Sequence, residues 1–458
     1  MFRTGFIRLA AWMKALSGAL LIASAAPSLA APTVQIYDTE IENIIRSHLE
    51  PILDAAGVEP DSVRIHLLRS NAPNAFVSRG RHMFLTTGLL RRTTHPGQVI
   101  GVLAHETGHI AGGHLARLDA VLRDAATPTL MSAVVGAVLG TLAGDAGVAI
   151  ATISAGQHLV RSRLLSFSRS QENSADRAAV HLLDRTGQSS RGLLEFMEIL
   201  QDYQSLFVSR KEEEQISYQV THPLTRDRIA FLRNHVENSE YSDLPAPPAA
   251  ADAHRRMVAK LDGFLDRPAR TLRKYPASDV SVPARYARAV AHYREADFKR
   301  ALDAVSALIS EYPEDPYFLE LKGQILFESG RVADALPYYR RAVEKLPDAP
   351  LLRVGLAHAM IETNREALLR PAISNLQEAL RHDDTIALGW RLAATAYGRS
   401  GELGEAALAS AEYAMRAGRM DDAVLMAERA KRLFGEGSAG RLRAEDLLGT
   451  LKRRARGR

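Results

Sequence analysis

Residues 101–114, GVLAHETGHIAGGH, contain the motif H-E-x-x-H in His105, Glu106 and His109. On a helix, residues four apart share a face, so both imidazoles can reach one ion while Glu106 points beside it. Zinc binds neutral imidazole readily, and a catalytic zinc site keeps three protein ligands plus a water whose pKa the metal lowers. The motif therefore predicts a zinc hydrolase in which Glu106 accepts the proton of that water. Two packed histidines are the competing interpretation.

Length and composition indicate more than one globular domain. The 458 residues exceed what a single core usually holds, and 46% hydrophobic with 24% charged residues excludes a disordered chain. The chain has no cysteine, which excludes disulfides and thiolate metal ligands. The formal net charge of +5 includes bases of the N-terminal segment, so the charge gives no support to a nucleic-acid partner.

The N-terminal segment has the features of a secretory signal peptide. Basic residues precede and flank the apolar segment 15–26, and Ser28 and Ala30 place small side chains at a cleavage site. We expect residues 1–30 to be removed and the protein to be exported to the periplasm. A retained anchor is the alternative, although the apolar part is shorter than the roughly 20 residues of a spanning helix.

A small sheet is predicted ahead of the zinc helix. From Thr39 the apolar residues follow helical spacing up to Gly57, with Thr39 as the N-cap and Gly57 as the stop. Alternating apolar residues then predict strands at 63–67, 75–77 and 82–85. An exposed edge strand of such a sheet can hold an extended substrate by main-chain pairing.

Two segments raise the question of membrane contact. Residues 127–144 carry no charge, and the apolar character continues to residue 156 with Asp145 as the interruption. Three interpretations stay open for 127–156: an apolar cover over the active site, a segment that touches the membrane surface, and a true span. Five bases within residues 452–458 indicate a solvated end, with attraction to anionic lipid or an acidic partner as the alternative.

A second helix is predicted to supply the third ligand. Residues 168–184, SRSQENSADRAAVHLLD, place Glu172 and Asp176 four apart on one face. Facing the zinc, Glu172 would complete a His-His-Glu set, and Asp176 would accept a hydrogen bond from the far nitrogen of a ligating histidine. Taken alone, such a pair is more typical of a solvated helix face. His114, five residues beyond His109, falls off the ligand face and is expected to take no part.

The C-terminal half of the chain repeats. A proline- and alanine-rich linker is predicted at 241–255. Beyond it, small residues and prolines recur at the 34-residue tetratricopeptide period, with a three-residue insertion before the unit that contains Trp390. The recurring positions are Ala289, Gly323 and Ala357, Ala301 and Ala335, and Pro313 and Pro347. Residues 256–458 are therefore predicted to form an all-α solenoid whose concave groove binds a partner protein.

The first half resembles the zinc metallopeptidases related to CAAX prenyl endopeptidase and HtpX. The resemblance rests on H-E-x-x-H, on E-x-x-A-D at 172–176, on Thr221-His222-Pro223 with Arg228-Ile229, and on residues 74–76 leading to 87–89. Ser174 departs from the family, which often has a second acid there. The resemblance covers residues 39–236. It implies an α+β zinc metallopeptidase domain, mainly helical with a small sheet, which we place at residues 31–240.

The same resemblance implies roles for the site residues. His105, His109 and Glu172 would bind one zinc ion per chain, Glu106 would be the base, and His222 would sit at the site. For His222 the alternatives are a donor to the oxyanion of the tetrahedral intermediate, a neutral fourth ligand that displaces the water, and simple packing. We favour the fourth ligand, because an envelope enzyme must spare its healthy neighbours. Arg228 is expected to anchor the loop of His222 rather than to meet substrate.

An exported peptidase followed by helical repeats is similar to periplasmic proteases that assist outer-membrane protein assembly. This similarity implies an endopeptidase that degrades misfolded or stalled envelope proteins and helps assembly through its repeats. The expected partners are unfolded envelope polypeptides and, in the repeat groove, a protein of the outer-membrane assembly machinery. A chaperone or scaffold with a silent zinc site is the alternative.

Overall fold

The computed structural model describes residues 34–78, 81–114, 168–207 and 222–456. The predicted signal peptide at 1–30, the apolar segment 127–156, Thr221 and the last of the C-terminal bases lie outside these ranges. None of the helices in the described ranges combines the length and the apolar character needed to cross a membrane.

A four-stranded sheet forms from the segments whose residues alternate. The strands are β1 (Val34–Ile36), β2 (Arg64–Arg69), β3 (Ala75–Ser78) and β4 (His82–Thr86). Their order is β1-β2-β4-β3, with β2 and β4 parallel and the other pairs antiparallel. Leu67 and Met83 are fully buried, whereas the rings of His66 and Phe84, on the opposite face, stack 4.7 Å apart. The predicted sheet is confirmed, and β1 and β3 are its edges among the described residues.

Helices surround one side of this sheet. They are α1 (Thr39–Ala56), α2 (Thr87–Leu90), α3 (Pro96–Ala111), α4 (168–185), α5 (Arg191–Phe207) and α6 (Arg226–Asn238), with a 3-10 turn at Pro60–Ser62. The side chain of Asp38 accepts a hydrogen bond from the N–H of Ile41, so the N-cap of α1 is Asp38 and the prediction of Thr39 was wrong by one residue. Gly57 ends α1 as predicted, with a φ of 66° in the left-handed region.

The motif helix α3 runs through the middle of the N-terminal core. Every residue from 98 to 109 is buried. A Cβ at Gly101 would lie 2.6 Å from the backbone nitrogen of Leu193 on α5, and a Cβ at Gly108 would lie 2.8 Å from the carbonyl oxygen of Ala175 on α4. These two glycines let the neighbouring helices approach α3 closely. The approach of α4 brings its acidic residues within reach of the histidines on α3.

Paired helices follow from residue 248 onwards. They are α7 (Pro248–Leu265), α8 (Pro268–Lys274), α9 (Val282–Arg294), α10 (Phe298–Glu311), α11 (Pro316–Glu328), α12 (Val332–Lys345), α13 (Pro350–Glu362), α14 (Leu369–His382), α15 (Ala387–Arg399), α16 (Leu403–Arg416), α17 (Met420–Leu433) and α18 (Ala439–Arg456). Ala289 and Ala357 are fully buried, and a Cβ at Gly323 would lie 3.1 Å from the ring of Tyr339. The small residues therefore lie where helices meet, and the predicted three-residue insertion is the 3-10 turn Glu366–Leu368.

Part of the predicted linker at 241–255 is helical. Helix α7 begins at Pro248, since proline fits the first turn of a helix, where its missing N–H has no partner to lose. Only the stretch between α6 and α7 lacks helix. The predicted domain limits, 31–240 and 256–458, remain predictions.

The two halves meet through a buried charge cluster. Glu40 on α1 is fully buried and contacts Arg256 on α7, while Nζ of Lys260 lies 3.2 Å from its Oε2. The hydroxyl of Tyr286 on α9 donates a hydrogen bond of 2.9 Å to the same oxygen. Because a buried carboxylate is costly without partners, these contacts tie the repeats to α1.

Candidate metal centre

The structure brings together the side chains that the sequence singled out. α3 supplies two of them, α4 supplies a third, and the segment before α6 supplies a fourth: His105, His109, Glu172 and His222. One ligand atom from each lies within 4.8 Å of those of the others. All four side chains are buried. The group is the one cluster among the described residues whose geometry suits a metal ion.

The donor atoms face a common centre. The Nε2 atoms of His105 and His109 are 3.1 Å apart. The two carboxylate oxygens of Glu172 lie 3.3 Å from Nε2 of His105 and 3.4 Å from Nε2 of His109. Nδ1 of His222 lies 3.1 Å from both of these oxygens. Imidazole nitrogens with one carboxylate are donors that zinc prefers, so these residues fit a zinc ion.

Glu106 lies beside this set. Both of its carboxylate oxygens are buried and accept no hydrogen bond from the described residues. Its Oε1 lies 3.4 Å from Nε2 of His222. A buried carboxylate that accepts no hydrogen bond costs free energy, so the residues present leave a place for a further hydrogen-bond donor next to Glu106. A water molecule in the centre would satisfy that need.

Asp176 and Arg228 form a buried support behind the donors. Oδ1 of Asp176 lies 2.9 Å from Nδ1 of His105, which leaves Nε2 of that ring directed at the centre. The guanidinium of Arg228 binds Asp176 with two N–H groups, at 2.6 and 2.9 Å. Its Nη1 donates to the carbonyl oxygen of Pro223 at 2.9 Å and lies 2.9 Å from Oε2 of Glu172. Arg228 thus connects α4 to the segment before α6.

The neighbouring charges set the protonation of the centre. Burial by itself would lower the pKa of His105, but Asp176 and Glu172 outweigh it and raise this pKa to about 9. Burial would raise the pKa of Glu172, yet hydrogen bonds from the histidines hold it well below its usual range. Burial likewise opposes ionisation of Asp176, and Arg228 with His105 keeps its pKa low. Both carboxylates are therefore ionised at neutral pH, and burial lowers the pKa of His109, which favours its neutral form.

His114 lies outside the donor set, but it contacts one member of it. Its ring is buried, and its Nδ1 lies 2.9 Å from Nδ1 of His109. Helical projection did not predict this contact, because α3 ends before His114 and Gly113 adopts a φ of 63°. The signal in the sequence was the pair Gly112-Gly113, which is typical of a helix end that turns back.

Comparisons with known proteins agree with this arrangement. Residues 39–236 match the model of peptidase family M48, and residues 286–350 match a tetratricopeptide repeat model. The beta-barrel assembly-enhancing protease of Yersinia pestis is 25% identical over 429 residues, which cover 91% of this chain and 85% of that protein. The protein of the same name from Escherichia coli (strain K12) is 26% identical over 404 residues, covering 84% and 78%.

The M48 match spans the segments that carry the buried donor set. The repeat match falls within the helical pairs that follow these segments in the sequence. The protein is therefore a metallopeptidase, with a peptidase family M48 domain at residues 39–236 and tetratricopeptide repeats after it.

Proposed function

We propose that this protein is a zinc-dependent endopeptidase of the bacterial envelope that cleaves misfolded or stalled outer-membrane proteins in the periplasm and assists assembly through its repeats. The observation that carries the proposal is the buried set of three imidazoles and one carboxylate with an unsatisfied Glu106 beside it. The names of the relatives support the link to β-barrel assembly. The signal-like N-terminal sequence supports export.

In this proposal His105, His109 and Glu172 hold the ion. When bound, zinc would supply a Lewis acid that polarises the scissile carbonyl and acidifies a water. Glu106 takes the proton of the attacking water and returns it to the leaving amine, as a general base and then a general acid. Asp176 keeps the ring of His105 in the tautomer that presents Nε2 to the centre.

The edge strand β3 supports a sequence-tolerant grip on substrate. β3 is an edge of the sheet among the described residues, and it contacts α3. A free strand edge offers main-chain N–H and C=O groups to any extended polypeptide. An enzyme that clears misfolded chains needs such pairing, because its substrates share a backbone but no sequence.

A groove where the repeats meet the N-terminal half supports a second contact with polypeptides. It has a volume of about 660 Å³ and lies between the segment Ile36–Ile41 and the helices α7, α11 and α13. Its walls are largely apolar or aromatic, including Phe264, Phe327, Tyr339, Leu351 and Val354. Burial raises the pKa of Glu320 in this groove to about 7. The lining also contains Asp38, Glu328 and Lys260. Apolar walls with an excess of acids suit a client or partner segment that carries apolar and basic side chains.

The test of the proposed function is proteolysis of an unfolded protein. We expect the purified protein to degrade reduced casein, to lose that activity on chelation, and to regain it with stoichiometric zinc. Degradation that survives complete metal removal would contradict the proposal. Full zinc occupancy without any cleavage would instead favour the second candidate function, a scaffold with a silent zinc site. The observation that favours this candidate is the fourth donor, His222, which could fill the position that a catalytic water needs.

His222→Ala separates two roles of that histidine, and we expect a severalfold increase in casein degradation. As a neutral fourth ligand, His222 would occupy the position that water needs, so its removal would open the site. As a donor to the oxyanion it would have the opposite effect, a loss of about a hundredfold or more. His235→Ala, in the adjoining α6, is the matched control. Unchanged activity at full zinc would contradict both roles.

A further inference from the structure

We infer that His114 is a positioning residue of the metal centre, which holds the ring of His109 so that Nε2 points at the other donors. The inference rests on the proposed metal site. The Nδ1 atoms of His109 and His114 lie 2.9 Å apart, and the two rings meet edge to face with centroids 4.9 Å apart. His114 is only 4% exposed, so water does not compete effectively for this contact.

The backbone conformation at the end of α3 allows the contact between His109 and His114. The helix stops at Ala111, and Gly113 has a φ of 63°, in the left-handed region that favours glycine. A Cβ at Gly112 would lie 2.3 Å from Nε2 of His114, so a side chain there would displace the imidazole. The two glycines therefore turn the chain and leave room for His114 to fold back over the last turn.

The contact fixes the tautomers of both rings. A hydrogen bond between two ring nitrogens needs one donor and one acceptor. If His109 binds metal through Nε2, its proton sits on Nδ1, and this N–H donates to Nδ1 of His114. The accepting Nδ1 of His114 then carries no proton. Such a partner orients a ligating imidazole, as second partners of zinc histidines generally do.

The two predicted histidine ligands of the motif thus have different hydrogen-bond partners at Nδ1. His105 is backed by the carboxylate of Asp176, which is ionised and bound by Arg228. His109 is backed by the imidazole of His114, whose ring nitrogen is a weaker acceptor than a carboxylate oxygen. His114 therefore acts chiefly on orientation, so its loss is expected to lower the affinity for metal without changing the set of ligands.

The test measures zinc affinity by competition with a chromophoric chelator, in the full-length protein. We expect His114→Phe to weaken zinc binding by about 10–100-fold, the usual effect of losing such a partner. His114→Asn should restore most of the affinity, because its side-chain oxygen can accept the same hydrogen bond.

Gly112→Ala should weaken zinc binding with His114 still present, because the added methyl group displaces the imidazole of His114. His181→Phe, an exposed histidine on α4, is the matched control.

A second readout separates positioning from general destabilisation. In the cobalt-substituted protein, the visible absorption should shift in His114→Phe and return in His114→Asn, while circular dichroism remains that of the wild type. Zinc affinity of His114→Phe within twofold of the wild type would overturn the inference, as would an equal loss in His114→Asn. A wild-type protein that binds no zinc would overturn the proposed function itself, so the two failures are distinguishable.

Discussion

Glu106→Gln is expected to abolish proteolysis while leaving zinc content and fold unchanged. Glutamine preserves the shape of the side chain but has no basic oxygen, so the proton of the attacking water has no acceptor. A positioned base typically contributes 10²–10⁴-fold, so we expect casein turnover to fall by at least about a hundredfold. Thermal unfolding of the variant should stay close to that of the wild type, because the amide keeps the shape of the buried side chain.

The measurement compares casein degradation, zinc content and thermal unfolding in the same preparations. Glu198→Gln is the matched control, because Glu198 is an exposed acid on α5 that pairs with Arg233. It should behave as the wild type does. Turnover at the wild-type rate in Glu106→Gln would rule out Glu106 as the base.

Glu172→Ala is expected to remove both the bound metal and the activity. The change deletes the carboxylate that lies between the rings of His105 and His109, which is the one anionic donor of the set. His222 would remain as a third imidazole, but it would lose the two oxygens of Glu172 that lie 3.1 Å from its Nδ1, so we expect weaker zinc binding. The change also removes a buried negative charge beside Arg228, which keeps Asp176 as its partner. We expect zinc to fall from one ion per chain to well below that after dialysis, with loss of casein degradation.

Metal content by mass spectrometry tests this expectation directly. Asp184→Ala on the same helix is the control, because Asp184 is half-buried and contacts His235 away from the centre. It should keep both zinc and activity. Unchanged zinc stoichiometry in Glu172→Ala would show that the third ligand lies elsewhere.

Local patterns predicted most of the N-terminal fold. Alternation gave the strands around Leu67 and Met83 because each has one face in the core. Helical spacing and Gly57 predicted α1. Its N-cap was predicted one residue too late, because Asp38 and Thr39 are both residue types that cap helices well. The helix that begins at Pro248 within the predicted linker was not predicted, because prolines occur in loops and at helix starts alike.

Local sequence patterns could not predict the contacts between distant segments. Nothing near Glu40 indicates that Arg256 and Lys260 bind it, since that depends on how the repeats pack against α1. The metal-binding residues were predictable, because helical spacing places His105 and His109 on one face of a helix. The family resemblance adds Glu172 on α4. The contact of His114 with His109 was not predictable, because it depends on the left-handed conformation of Gly113.

Anomalous scattering at the zinc absorption edge, from crystals of the full-length protein, shows directly whether these residues bind zinc. We expect one zinc peak per chain, bonded to Nε2 of His105, Nε2 of His109 and an oxygen of Glu172 at about 2.0–2.2 Å. The same map would show whether His222 is a fourth ligand. A peak bonded by a different set of residues, or none in protein loaded with zinc, would rule out this metal site.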